Sequence, residues 1–133
     1  MSLIRVGILI ALIVLKGCGS TAIAVDGSYE PSCTAFAGES ISLRDGLYSW
    51  NKFTDARRVG PNGEVTDPYP DFPKTGRFDR DGEVIRMLDD GGSVLATWYL
   101  HQHQGRQALL NQDQQDAWSA GGAYPDCMLV LAL

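Results

Sequence analysis

The sequence predicts a mainly β domain: a small antiparallel barrel or curled sheet, built as a meander of hairpins, with one short helix near the C-terminus. The main observation is the spacing of turn residues between positions 76 and 111. Such residues recur at 80–82 (RDG), 89–92 (DDGG) and 104–105 (QG), and runs of strand length lie between them. D-G and G-G between β-forming residues are strong hairpin signals, and short strands at this spacing are typical of barrels.

Three strands are predicted between these turns, over residues 83–88, 93–100 and 106–110. Successive side chains of a strand point to opposite faces, so Trp98 and Tyr99 lie on different faces of the middle strand. Both of its faces carry large apolar groups. We therefore expect this strand to be central, covered on one side by the core and on the other by a partial second layer or a ligand.

Two further hairpins are predicted earlier in the chain, over residues 40–50 and 57–66, around the turn residues at 44–46 and 60–63. The segment that follows, Asp67–Pro73 (DPYPDFP), alternates three prolines with two aromatic residues. Proline donates no backbone hydrogen bond, so this segment is neither a central strand nor a helix.

The predicted helix runs from about Gln112 to Ser119, with Asn111 as its N-cap and Gly121 as its stop. The continuous apolar run at residues 127–133 (CMLVLAL) predicts a buried final strand. Residues 18–32 are small and polar and predict a tether, so the single β-rich domain is expected at 33–133.

The N-terminus predicts export. Val6–Leu15 is an apolar run of a length that suits a signal peptide and is too short to span a bilayer. Two cleavage sites are open: one before Cys18, which makes residues 1–17 the signal peptide, and an A-x-A site after Ala24.

Residues 15–18 (Leu-Lys-Gly-Cys) resemble the lipobox of bacterial lipoproteins. The resemblance implies a lipid on Cys18 and, because Gly19 is not the aspartate of inner-membrane retention, an outer-membrane lipoprotein facing the periplasm. Membrane contact is then expected only through the N-terminal lipid. The alternative cleavage predicts a soluble periplasmic or secreted protein.

Cys33 and Cys127 remain as an even pair under either cleavage. Exported proteins enter an oxidising compartment, and neither cysteine lies in a metal-binding or redox motif. The sequence therefore predicts a disulfide between them.

The chain is acidic, with a formal net charge of −5, and the loss of Arg5 and Lys16 with the signal peptide makes it more so. This argues against nucleic acid as a partner and suits a basic protein; the alternative is that the charge only keeps a small domain soluble. No sequence motif indicates catalysis or a cofactor, so an enzyme is not expected. His101 and His103 form an H-x-H pair, a weak metal-ligand pattern whose competing interpretation is a solvated turn.

Residues Asp67, Tyr69, Asp71 and Phe72 are the predicted partner-binding set, because rigid proline-rich loops present aromatic side chains at low entropic cost. The alternative is that the two aromatics fold back as a lid on the barrel. Residues 119–124 (SAGGAY) resemble the S-G-x-x-Y loop of bacterial lipoproteins that inhibit c-type lysozyme.

The preferred hypothesis is therefore an envelope lipoprotein that binds a protein partner, as an inhibitor or immunity factor or as an accessory of an envelope machine. The alternatives are a barrel with an apolar cup for a small ligand, lined from the strand at 93–100, and a metal-handling periplasmic protein.

Overall fold

Eight antiparallel strands close into a barrel in the part of the chain that the structure describes, which confirms the predicted fold class. The structure is a computed structural model and describes residues 23–33, 37–54, 58–67 and 69–133. Its elements, in chain order, are β1 (Gly27–Pro31), β2 (Ala37–Arg44), β3 (Leu47–Thr54), β4 (Arg58–Val59), β5 (Val65–Thr66), β6 (Lys74–Asp81), β7 (Val84–Leu88), β8 (Val94–His103), β9 (Arg106–Leu110), α1 (Gln112–Gly121) and β10 (Leu129–Leu131).

The barrel is an up-and-down meander, because its strands are neighbours in the order in which they occur along the chain. The order is β1, β2, β3, β6, β7, β8, β9 and β10, and β10 pairs with β1 to close the sheet. The small β4–β5 hairpin is inserted between β3 and β6, and α1 lies between β9 and β10. Closure pairs both sides of every barrel strand.

The first barrel strand, Gly27–Pro31, lies within the stretch that was expected to be a tether, so that prediction is wrong. Tyr29 of this strand is completely buried and pairs with Ile41 and Leu131. Tyr29 is the only large apolar side chain in the strand, and the partner strands that bury it come from distant parts of the chain. Local composition therefore did not reveal it. The folded domain begins by Ile23 and not at Cys33.

The predicted hairpins, strands and helix are present and differ from the predictions at their ends, whereas β6 (Lys74–Asp81) was not predicted. β8 continues to His103, and the two-residue turn at Gln104 and Gly105 follows it, with positive φ at both residues. Only residues 129–131 of the expected final strand pair in the sheet, and Leu133 is fully exposed.

The helix begins as predicted, with a capping box. The Asn111 side chain accepts a hydrogen bond from the Gln114 N–H, and the Gln114 side chain accepts one from the Asn111 N–H. The expected stop residue is off by one: Gly121 is the last helical residue, and Gly122 adopts the left-handed conformation that ends the helix.

The barrel has two different ends. At one end, called here the turn end, the strands are joined by two-residue turns at 45–46, 82–83 and 104–105. At the other end, called here the loop end, lie the longer connections, including residues 55–73 and the segment that carries α1.

The interior of the barrel is filled by the protein's own side chains. Its main cluster of buried residues is Val25, Tyr29, Ile41, Leu43, Tyr48, Ile85, Met87, Trp98, Leu100, Leu109 and Leu129. Tyr48 lies over Gly76, where a Cβ atom would come within 3.0 Å of the tyrosine ring, and donates a hydrogen bond to the Leu88 carbonyl (2.9 Å). The glycine thus lets one phenol ring cross β6 from β3 to β7.

Residues 23–26 close the turn end. The Ile23 carbonyl accepts a hydrogen bond from the Arg80 guanidinium, and the Ala24 carbonyl accepts one from Gln107 Nε2 (2.8 Å). The Tyr29 hydroxyl donates to the Val25 carbonyl (2.8 Å). This short segment is therefore part of the fold.

Candidate functional site: an aromatic cage at the loop end

The candidate site is built on the inward faces of β2, β3 and β6, where these strands reach the loop end. Alternation along β3 places Trp50 and Lys52 on the same face as the buried Tyr48. On β2, Glu39 shares the inward face of Ile41 by the same rule. Inward side chains at a barrel end meet solvent and need not be apolar, which is why a charged pair can lie there.

Three aromatic rings form what we call the cage: Trp50, Tyr69 and Phe72. The Phe72 ring meets the Trp50 ring edge to face with centroids 5.0 Å apart, and Tyr69 meets Phe72 in the same way at 6.3 Å. Trp50 in turn contacts the buried Trp98 at 5.9 Å. Because Trp98 belongs to the core, this contact makes the cage a continuation of the core. Edge-to-face contacts of this kind also stabilise beyond the area they bury.

The ammonium group of Lys52 lies within the cage. Its Nζ is 5.4 Å from the centroid of Trp50, 5.9 Å from Tyr69 and 5.6 Å from Phe72. Glu39 Oε2 lies 3.8 Å from the same Nζ and accepts a hydrogen bond from Trp50 Nε1 at 2.7 Å. The site thus holds a cation by three ring faces and one carboxylate.

A recess of about 300 Å³ opens beside the cage. Glu39, Trp50 and Lys52 line it on one side, and Trp98 and the first residues of α1 line it on the other. The indole nitrogen of Trp98 is buried and has no hydrogen-bond partner among the described residues.

The predicted partner-binding residues are only partly brought together. Tyr69 and Phe72 lie half-buried on the barrel end, as in the alternative in which they fold back, and do not stand clear of it. Asp67 uses its carboxylate to accept the Tyr69 backbone N–H (2.8 Å), which shapes the loop, while Asp71 is exposed. Pro68 lies outside the described residues.

Sequence reasoning missed the β-strand members of the site, Glu39, Trp50 and Lys52. The signal available was the alternation of Tyr48, Trp50 and Lys52, which puts a lysine in line with two inward aromatics. Their meeting with residues 69–72 depends on the pairing of Trp50 with Lys74, which brings the start of β6 beside the middle of β3. Nothing local in the sequence specifies that pairing.

His101 lies beneath α1, where the helix forms the predicted second layer over the outer face of β8, and His103, at the end of the same strand, lies against the Tyr124 ring. His101 stacks edge to face on Trp118 (4.5 Å), and its two ring nitrogens lie near Gln115 Oε1 (2.6 Å) and the Tyr124 hydroxyl (3.3 Å). Both nitrogens thus have protein partners, so the contacts of His101 give no support to a metal-ligand role. Among the described residues no group of three or more metal-ligating side chains occurs.

The hexapeptide 119–124 does not form a free loop. Ser119 lies in the last turns of α1, Gly122 ends the helix, and the Tyr124 ring stacks on His103 at 4.2 Å. The geometry therefore gives no support to the loop resemblance.

Cys33 and Cys127 form a disulfide, as predicted, with Cα atoms 5.3 Å apart. The bond joins the end of β1 to the start of β10 at the loop end. Cys18 lies outside the described residues. Within the described part of the chain, no helix has the length and apolarity needed to cross a bilayer.

Comparison with family models, with curated proteins and with solved structures found no significant match to this chain.

Proposed function

We propose that this protein is an exported envelope lipoprotein whose barrel binds a protein partner through its loop end. The observation that carries the proposal is the contrast between a filled interior and an aromatic end. A barrel filled by its own side chains offers its rim, and not its centre, for recognition. Rings held by their neighbours, such as Trp50, lose little freedom on binding, and aromatic residues dominate the energetics of protein interfaces.

Exposed large apolar side chains among the described residues occur at both ends of the barrel: Ile23, Leu47 and Leu133 lie at the turn end, and four others lie at the loop end. Val59 (69% exposed) and Val65 (56%) lie on the β4–β5 hairpin, and Val94 and Leu95 begin β8. These residues all belong to the connections and strand ends of the loop end. Single exposed apolar groups are common, so the feature that distinguishes the loop end is the aromatic cage.

The apolar-ligand alternative is not supported by the interior. Trp98 and Leu100, which were expected to line an apolar cup, are each only 3% exposed and belong to the filled core. We therefore retain the protein-binding function alone.

Contacts of the N-terminal segment support cleavage before Cys18 over cleavage after Ala24. The later cut would remove Ile23 and Ala24, whose carbonyls accept hydrogen bonds from Arg80 and Gln107 at the turn end. A lipid on Cys18 would be joined to Ile23 by only four intervening residues, a reach of roughly 17 Å when fully extended. The turn end would then lie near the membrane and the loop end would point away from it.

Site-specific photo-cross-linking in cells tests the proposal. Val65 at the loop end and Leu47 at the turn end are equally exposed, at 56% and 57%, and form a matched pair for a photoreactive amino acid. We expect one discrete protein adduct from position 65 and none from position 47. Equal adducts from both positions, or none from either, would contradict partner binding at the loop end.

The anchor is tested separately with Cys18→Ser. We expect the variant to carry no lipid and to accumulate as a longer precursor that keeps its signal peptide. Unchanged processing would refute lipidation while leaving the cross-linking result intact.

A further inference from the structure

We infer that the cage is a binding site for an alkylammonium group, and that Lys52 occupies it in the free protein in place of a lysine side chain of the partner. This inference rests on the proposed function for the source of the cation. The site itself does not depend on it, because it is defined by Trp50, Tyr69, Phe72 and Glu39.

The geometry is that of a cation site. Aromatic faces are negative, and a cation within about 6 Å of a ring centroid is attracted to it. The Lys52 Nζ meets this condition for three rings at once. Glu39, 3.8 Å away, adds the one full negative charge of the site. An ammonium of similar size from another molecule would meet the same four groups.

The occupant can be exchanged. Lys52 and Glu39 keep 35% and 25% of their side chains exposed, so solvent reaches this half-buried ion pair, and its N–O distance of 3.8 Å is longer than a hydrogen bond. The recess of about 300 Å³ beside Lys52 gives an incoming group a path to the cage. Lysine also has a long flexible stem, so its ammonium can leave without a change in the backbone.

The site stays formed when Lys52 leaves. The Trp50 Nε1–H holds the Glu39 carboxylate at 2.7 Å, and the Trp50 and Phe72 rings hold each other at 5.0 Å. The rest of the surface also favours a cation. Asp71 is exposed on the loop that carries Tyr69 and Phe72, and the chain is acidic overall.

Lys74 is the internal comparison. Its Nζ lies 5.2 Å from the centroid of the Phe72 ring, but among the described residues it makes no cation–π contact with Trp50 or Tyr69. It therefore carries the same charge beside the same ring without occupying the cage.

The test is a titration of the purified protein with choline and with its neutral isostere 3,3-dimethyl-1-butanol, followed by the Trp50 indole N–H resonance. We expect Lys52→Ala to bind choline about tenfold more tightly than the wild type, because the competing occupant has been removed. We expect Lys74→Ala to resemble the wild type. Glu39→Gln added to Lys52→Ala should weaken choline binding several-fold, and the neutral isostere should bind none of these proteins.

Lys52→Gln keeps an unbranched polar side chain, one atom shorter and without the charge, and serves if the alanine variant misfolds. The double variant Lys52→Ala/Lys74→Ala excludes movement of Lys74 into the emptied cage. Equal binding of choline and its isostere, or no gain in either Lys52 variant and in the double variant, would overturn the inference. That failure would leave the cross-linking at position 65 intact, whereas a failure of cross-linking alone would remove the partner and keep the cation site.

Discussion

The two ends of the barrel are closed by different means. The turn end has two-residue turns and is covered by residues 23–26, which are held by hydrogen bonds from Arg80 and Gln107. The loop end has long connections, a disulfide and a cage of aromatic rings that holds a cation. The turn end is closed by a segment of the chain that side-chain donors hold in place, and the loop end by aromatic side chains and a disulfide.

This difference shows how a small barrel can separate stability from recognition. Two-residue turns leave little room for insertions, whereas long connections can carry rings and charges without disturbing strand pairing. The cost at the loop end is backbone freedom, which the covalent link between β1 and β10 restrains. The predictions below test whether the two ends differ in this way.

The largest expected effect is at the loop end. Replacement of both Cys33 and Cys127 by serine opens a link between residues 94 apart, and we expect a loss of about 4 kcal/mol of unfolding free energy. Urea denaturation of the variant and of the oxidised wild type measures it. A loss below about 1 kcal/mol would show that the barrel holds its loop end without the bond.

At the turn end, the buried phenol of Tyr29 predicts alkaline destabilisation. Burial raises the pKa of Tyr29 to about 12, partly opposed by Arg80, from an ordinary value of 10.0. A raised pKa means that the folded state favours the protonated phenol. The stability that this preference contributes is complete below pH 10 and is lost as the pH rises toward 12. Over that window we expect a loss of roughly 2 to 3 kcal/mol that Tyr29→Phe does not show.

The comparison of Tyr29→Phe with the wild type is made by denaturant unfolding at a series of pH values. At pH 7 the variant should be less stable by about 1 kcal/mol, because the Val25 carbonyl loses its donor. The gap should close and invert as the pH rises. Parallel curves across the whole range would contradict the role assigned to Tyr29.

The cover of the turn end is tested by Arg80→Ala together with Gln107→Ala. Each change removes one hydrogen bond to residues 23–24, and we expect a combined loss of about 2 kcal/mol. Amide exchange near Val25 should accelerate. Arg77→Ala is the matched control, because Arg77 lies exposed on the same strand, and it should leave both stability and exchange unchanged.

The smallest expected effect separates the two rings of the proline-rich loop. Phe72→Ala removes a ring in edge contact with Trp50 and should cost about 1.5 kcal/mol, less than a fully buried phenylalanine. Tyr69→Ala removes the outer ring and should cost under about 1 kcal/mol. Thermal unfolding of the two variants measures the difference, and the reverse order would show that Tyr69 is the ring that caps the core.

The hairpins could be predicted because their information is local. Asp45-Gly46 is a two-residue sequence whose preferred turn already reverses the chain, and the alternation on either side sets which face is buried. The helix start was equally local, since Asn111 and Gln114 satisfy each other's backbone donors within one turn. The exact end of the helix could not be predicted locally, because Gly121 and Gly122 are both able to end a helix.

The cage could not be predicted, because its members come together only when the sheet has curved and closed. Glu39, Trp50 and Phe72 lie on β2, on β3 and in the loop before β6, and cross-strand registers fix their distances. His101 shows the same limit: its pattern fits a metal ligand, but packing under α1 decides its partners.

By itself, the sequence determined the mainly β fold class, the hairpins, the helix start and the cysteine pair. The first three depend on neighbouring residues, and the last on the number of cysteines that remain after cleavage. The tertiary structure alone decided that β1 belongs to the barrel, that residues 23–26 cover the turn end, and that Lys52 lies among three rings. The physical reason is that closure of the barrel buries side chains such as Tyr29 between strands that are remote in sequence, and no local pattern records which remote strands will meet.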